Sequence, residues 1–190
     1  MDNKIIKAII IIVILIGLYM LNLQQQQGYK NQGSDFLNLE RDLIKKIIIS
    51  SNEDAIELSI NDSIWSISGN DSLIVKPNMI TNLLDKLAAM KKLHIVTNKE
   101  EKWNLYGVDA PSGSHLALIG YGGNTLAYYV FGQTNEYNKC YARTDKNIEV
   151  HMLDSNILFQ LRTDPNFWGE ILKPEILPDS TEIKTPPITY

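Results

Sequence analysis

HLALIGYGGNTLAYYVFG, residues 115–132, is the stretch whose reading decides the fold. Two runs of β-branched, aromatic and aliphatic residues, 115–121 and 125–132, flank Gly122-Gly123-Asn124. Two strand formers joined by a glycine-rich connection read as an antiparallel pair. The pattern continues downstream. Lys139 to Thr144 and Ile148 to Leu153 are two more strands, and Asp145-Lys146-Asn147 is the tight turn between them. Residues 115–153 are therefore a four-stranded meander.

Working outward, Leu43 to Ile49 is isoleucine-rich and reads as a strand. In Ala55 to Ile60 the residues alternate, with Ile56, Leu58 and Ile60 on one face and Glu57 and Ser59 on the other. Asn61-Asp62-Ser63 is a turn, Ile64 to Ser68 returns, and Gly69-Asn70-Asp71 turns again. The clearest helix follows Pro77. Ile80, Leu83, Leu84, Leu87 and Ala88 recur at helical spacing, and Lys91 and Lys92 suit the negative end of the dipole. His94 to Thr97 is a short strand. Lys99 to Tyr106 is a short helix stopped by Gly107 in a left-handed cap. Asp154 or Ser155 caps a last helix through Arg162. Asp164-Pro165-Asn166-Phe167-Trp168 then closes the domain. The expected class is α+β: an N-terminal transmembrane helix, then one domain of two antiparallel β blocks separated by an amphipathic helix.

The transmembrane expectation rests on Ile5 to Leu23, nineteen residues with eight isoleucines and no charge between Ala8 and Leu21. At about 1.5 Å per residue such a helix is roughly 28 Å long, close to the bilayer's hydrocarbon thickness. Met20-Leu21-Asn22-Leu23-Gln24 offers no small-x-small cleavage site, so an uncleaved anchor is expected. Lys4 and Lys7 on the short side place the N-terminus in the cytoplasm and the main domain outside the cytoplasmic membrane. The expected organisation is a cytoplasmic N-terminus at 1–4, an anchor at 5–23 and a flexible tether at 24–34. An extracytoplasmic domain at 35–173 and a proline-rich tail at 174–190 complete it.

Composition excludes several classes. With 44% hydrophobic residues among 190, there is material for a core. A net charge of −4 argues against nucleic acid as partner. A single cysteine, Cys140, permits neither an internal disulfide nor a multi-cysteine zinc cluster.

The order of elements resembles the bacterial domain of unknown function family 4340, over about Phe36 to Glu170. The hairpin ending in Trp65-Ser66-Ile67, the helix with Leu83-Leu84 and Leu87, and Ile95-Val96-Thr97 carry the likeness. So do Trp103-Asn104-Leu105-Tyr106-Gly107-Val108-Asp109-Ala110-Pro111, similar to the family's "Y-G-L-D-x-P" stretch, then Phe131-Gly132, Tyr141-Ala142-Arg143 and Phe167-Trp168. The resemblance implies a single-anchor envelope protein. It also implies an accessory role beside an ABC-type transport system similar to gliding-motility transporters. It brings no established catalytic residues.

Chemistry-bearing groups are scattered. His94, His115 and His151 lack ligand spacing, and packing or surface roles suit them better than a metal. Cys140 has no nucleophile signature, and there is no G-x-S-x-G elbow. Gly120-Tyr121-Gly122-Gly123 has strands on both sides, so it reads as a hairpin turn and not a phosphate loop. Asn61-Asp62-Ser63, Asn70-Asp71-Ser72 and Asp145-Lys146-Asn147 are turns without calcium-loop spacing. No cofactor motif is present. The residues singled out for an interaction surface are Tyr106, Tyr121, Tyr128, Tyr129 and Tyr137, aromatic groups suited to glycan or peptide. The alternative is that they are strand formers packing between the β blocks.

Two functions are expected from different classes. The first is a non-enzymatic, membrane-anchored interaction module. Its partners would be the lipid bilayer, through residues 5–23, and an envelope membrane protein such as an ABC-type transporter subunit. The alternative is an envelope hydrolase or glycan- or peptide-binding domain with a nonstandard site, for which Asp109, Glu136, Asp145 and His151 are the nearest acid and base groups.

Overall fold

The computed structural model describes residues 12–20, 33–37 and 40–171. Within residues 33–171, eleven strands and two α-helices follow in order: β1 (Ser34–Asp35), β2 (Lys46–Ser51), β3 (Asp54–Asn61), β4 (Ile64–Ile67), β5 (Leu73–Val75), α1 (Met79–Ala89), β6 (Lys91–Thr97), β7 (Ser114–Ile119), β8 (Thr125–Gln133), β9 (Cys140–Thr144), β10 (Val150–Leu153), α2 (Pro165–Trp168) and β11 (Gly169–Ile171). A 3₁₀ segment, Glu100–Tyr106, lies between β6 and β7.

Nine strands form one antiparallel sheet in the order β1-β6-β10-β9-β8-β7-β2-β3-β4, and β11 pairs with β5 in a second, two-stranded sheet. This corrects the α+β expectation. The fold is mainly β, and the two blocks are one sheet. The reason is β2, which pairs with β3 on one side (Ile47 opposite Leu58) and with β7 on the other (Ile47 opposite Leu118). A strand whose alternate residues Ile47 and Ile49 are fully buried fits the middle of a sheet. Helix α1 therefore does not separate two blocks. It packs Ile80, Leu83, Leu84 and Leu87 onto one face of the sheet, in one core with Ile47, Leu58, Leu116, Phe131 and Trp168.

The expected transmembrane helix is corrected too. Among the described residues, no helix is long and apolar enough to cross a membrane. Residues 12–20 are helical and exposed, while 5–11 and 21–23 lie outside the described residues, as do most of the expected tether and all of the expected tail. Ser34, placed in the tether, belongs to β1 and pairs with Lys92.

Several local readings hold. Asp62 and Ser63 both have positive φ, 46° and 72°, which suits the two-residue turn between β3 and β4. Gly107 caps the 3₁₀ segment in the left-handed region. Lys91 and Lys92 are in β6 and not at the end of α1. No helix runs from Asp154 to Arg162. There the Asn156 side chain accepts from Leu158 N and donates to the Tyr137 carbonyl. Gln160 and Leu161 bond back three residues, to Ile157 and Leu158. The side-chain bonds of Asn156 compete with a helical ladder, and the segment turns so as to bury Ile157 and Leu161.

Candidate functional site

The second face of the sheet, opposite α1, has two unlike halves. Over β8, β9, β10 and β6 lies a strap, Glu100 to Gly113. Its Val108 is fully buried against Val130 and Val150, with Trp103, Tyr106, Tyr128 and Tyr141 packed around them. Trp103 Nε1 donates to the Ile148 carbonyl (3.0 Å), and the Tyr106 hydroxyl donates to the Val96 carbonyl (3.3 Å). Arg143 on β9 is 9% exposed. Its Nε donates to the Val108 carbonyl at 2.6 Å, and its guanidinium stands 3.9 Å from the Trp103 ring centre. Burial lowers the Arg143 pKa from its ordinary value, opposed by Tyr128, Glu100, Asp109 and Asp145. One Asp109 oxygen, Oδ1, is buried without a hydrogen-bond partner. At the strap's far end His115 lies between Tyr128 Oη (2.6 Å from Nδ1) and the Ala110 carbonyl (2.9 Å from Nε2). The carbonyl can only accept, so Nε2 carries a proton and donates to it. In neutral His115, Nδ1 then accepts from the tyrosine.

The strap lies on the sheet because Gly132 has no side chain. A Cβ there would stand 2.0 Å from the Tyr106 oxygen. The Tyr106-Gly107 and Phe131-Gly132 pieces of the family pattern are thus two sides of one contact.

The other half of this face, on β7, β2, β3 and β4, carries no strap. Lys46, Ile48, Glu57, Ser59, Ala117 and Ile119 alternate outward there, opposite the buried members of each strand. A groove of about 430 Å³ runs along it, between Lys45, Lys46, Ile48, Ile60 and Ile119. Lys46 Nζ pairs with Glu57 at 2.8 Å and holds that carboxyl below its usual range. Lys45 sits 4.3 Å over the Tyr121 ring.

On the core side, a smaller cleft of about 120 Å³ opens at the ends of β8 and β9, between Leu37, Leu126, Tyr129, Thr144, Asp145 and Lys146. Tyr129 is 6% exposed, with its ring packed 4.8 Å from that of Phe36. Burial, reinforced by the Asp145 charge, pushes its phenol up to about 12.

The five tyrosines singled out from the sequence fall in three settings. Tyr106 and Tyr128 lie together under the strap, on the second face. Tyr129 points to the core. Tyr121 and Tyr137 are exposed, at 68% and 85%. The acid and base groups are also dispersed. Asp109 is in the strap, Glu136 pairs with Lys139 in the β8–β9 connection, Asp145 follows β9, and His151 is buried in β10. His94 faces outward on β6, while His151 pairs with Ala142 on the core side, so these two point to opposite faces. Among the described residues, no three His, Cys, Asp or Glu side chains could hold a metal ion. Cys140 is fully buried, donates to the Ser155 carbonyl, and is pushed up to about 11 by burial. The sequence reading missed the strap's anchor, Arg143. The available signal was an arginine in a strand beside Tyr141, at a position whose alternation points away from the core.

A mainly β domain with a buried arginine clamping a strap across one half of its second face is the class that these features define. The chain belongs to the family described as Domain of unknown function (DUF4340), whose model matches residues 65–170. Searches of curated proteins and of solved structures returned no match.

Proposed function

We propose that this protein is a non-enzymatic interaction module of the bacterial envelope, held at the outer face of the cytoplasmic membrane as an accessory component of an ABC-type transport complex. The observation that carries the reading is the strap-free half of the second face. There Ile48, Ala117 and Ile119 form an apolar centre, and the Lys46–Glu57 pair lies beside it. A partly apolar face with a charged margin has the anatomy of a docking surface. The apolar composition of residues 5–23, apart from whether they form a crossing helix, supports membrane attachment, and the family resemblance supports the transport setting. Photo-crosslinking side chains placed at Ile48 and Ala117 of the full chain, in its own cells, test the reading. Crosslinks to transporter subunits in the membrane fraction are expected from both positions. A yield no higher than from an outward position on the strap, such as Leu105, would count against it. Protease accessibility in intact spheroplasts checks the orientation.

A further inference from the structure

The Tyr129 cleft belongs neither to the strap nor to the docking half of the second face, and it contains a feature that packing does not explain. Tyr129 is more than nine-tenths buried, yet its hydroxyl has no hydrogen-bond partner among the described residues. The oxygen is not sealed in, since among the described residues the buried side-chain atoms without partners are on Asp109, His151 and Gln160. It therefore meets the open space of the cleft. Most buried tyrosine hydroxyls find a partner inside the protein; this one, open to the cleft, is left for solvent or a polar ligand. Phenylalanine would fill this place against Phe36 and Phe131 equally well.

We propose that this cleft is a binding site for one neutral sugar unit, held through its hydroxyls by Tyr129, Thr144 and Asp145. The inference does not rest on the docking reading. The ligand class follows from the donors and charges on the rim. The Tyr129 phenol keeps its proton at any working pH, so it offers a donor. Asp145 is exposed, makes no salt bridge among the described residues and offers only acceptors. A sugar hydroxyl accepts from the first while it donates to the second. An anionic ligand would face the Asp145 charge, and a cationic one would face Lys146 across the same opening. Leu37, Leu126 and Ala127 supply an apolar wall for the ring's C–H edge. The cleft is well below the roughly 300–1,000 Å³ of sites that enclose drug-sized ligands. It takes a single ring edge and leaves the rest of a glycan outside.

The test uses the full chain, purified in detergent and labelled with 3-fluorotyrosine, observed by fluorine NMR. Tyr129→Phe identifies the Tyr129 resonance by its loss. Glucose and N-acetylglucosamine are titrated, with acetate and ethylammonium as singly charged probes. The expected result is a saturable shift of the Tyr129 resonance by a neutral sugar, with a dissociation constant on the order of 1 mM. Asp145→Asn should weaken binding roughly tenfold. Tyr129→Phe should abolish sugar binding measured by saturation-transfer difference, with a melting temperature at or above that of the parent. The proposal is overturned if neither sugar moves the Tyr129 resonance, if acetate or ethylammonium moves it equally, or if Asp145→Asn leaves the affinity unchanged.

Discussion

Gly132→Ala should cost about 3 kcal/mol of stability, and the reason is space. An alanine Cβ would stand 2.0 Å from the Tyr106 oxygen, 2.8 Å from the Gly107 oxygen and 2.9 Å from the Gly107 carbonyl carbon. Ordinary contact begins near 3.4 Å, so the strap must recede by about 1.4 Å. Two responses are open. If the strap bends in place, the cost is that of overpacking against backbone, about 3 kcal/mol at the upper end of the usual range. If it lifts away, it loses the bonds from Trp103 to Ile148, Tyr106 to Val96 and Arg143 to Val108. These are worth about 1 kcal/mol each. Lifting also exposes Val108, worth about 1.5 kcal/mol or more, so this route totals about 5 kcal/mol. The protein takes the cheaper route or a mixture of the two. Gly122→Ala is the control. Its Cβ would meet nothing within 4 Å, but φ is +68°, so only the backbone conformation is penalised, by about 1 kcal/mol. Urea unfolding gives both losses, and hydrogen exchange at Trp103 to Val108 reports whether the strap lifts. A Gly132→Ala loss below about 1 kcal/mol, with strap protection unchanged, would refute the reasoning.

Leu87→Ala, at a fully buried position in α1, should destabilise by about 2–5 kcal/mol in urea unfolding. Asp164→Ala removes the side chain that accepts from Asn166 N at 2.9 Å at the start of α2, and should cost about 1 kcal/mol by the same measurement. His151 is buried and its pKa is lowered from 6.5, chiefly by desolvation, with Lys92 and His94 adding to the effect and Glu149 at 3.4 Å opposing it. The unfolded chain therefore takes up this proton first. Stability is full above pH 6.5 and falls as pH drops from there through the folded value, by at most about 1.4 kcal/mol per pH unit. Unfolding free energies measured across that range should lose this component in His151→Gln. Cys140, with its thiol pushed up to about 11, should resist iodoacetamide at pH 8 in the native protein and react only on unfolding, as read by mass spectrometry.

Local structure was legible wherever one short pattern determines it. The alternation of Ile56 and Leu58, the Asp62-Ser63 turn, the α1 stripe and the Gly107 cap each depend on a few neighbouring residues. Pairing between distant strands was not legible. Nothing in Ile47-Ile48-Ile49 says that its second neighbour is β7, more than sixty residues on, because a continuous apolar run fits any central position. β5 and β11 were missed because three residues hold no period, and their pairing joins Leu73 to Ile171 across the length of the domain. The tyrosines illustrate the limit for sites. Period two separates Tyr128 from Tyr129 correctly onto opposite faces. It does not say that Tyr128 meets His115 or that Tyr129 opens onto a cleft, because both depend on which strands and crossings lie alongside.

The matched family segment and the folded unit do not coincide, and the difference bears on function. The match begins at Trp65, inside β4, and ends at Glu170, inside β11. Yet β4 pairs in the sheet only with β3, and β7 has β2 on its far side. Without residues 46–61 the core loses Ile47, Ile49, Ile56 and Leu58, none more than 4% exposed, and β7 becomes a bare edge. The closing strand packs tightly against β4 and β5, since a Cβ on Gly169 would meet Ile67 and Leu73 at 2.8 Å. The unit that folds therefore runs from β1 to β11. Its strap, with Trp103, Tyr106, Gly132 and Arg143, lies wholly inside the matched segment. The face proposed for docking lies largely outside it, because Lys46, Ile48, Glu57 and Ser59 come from β2 and β3. Those side chains point away from the core and from the strap. A change among them reshapes the docking surface while leaving both the core packing and the Arg143 clamp untouched.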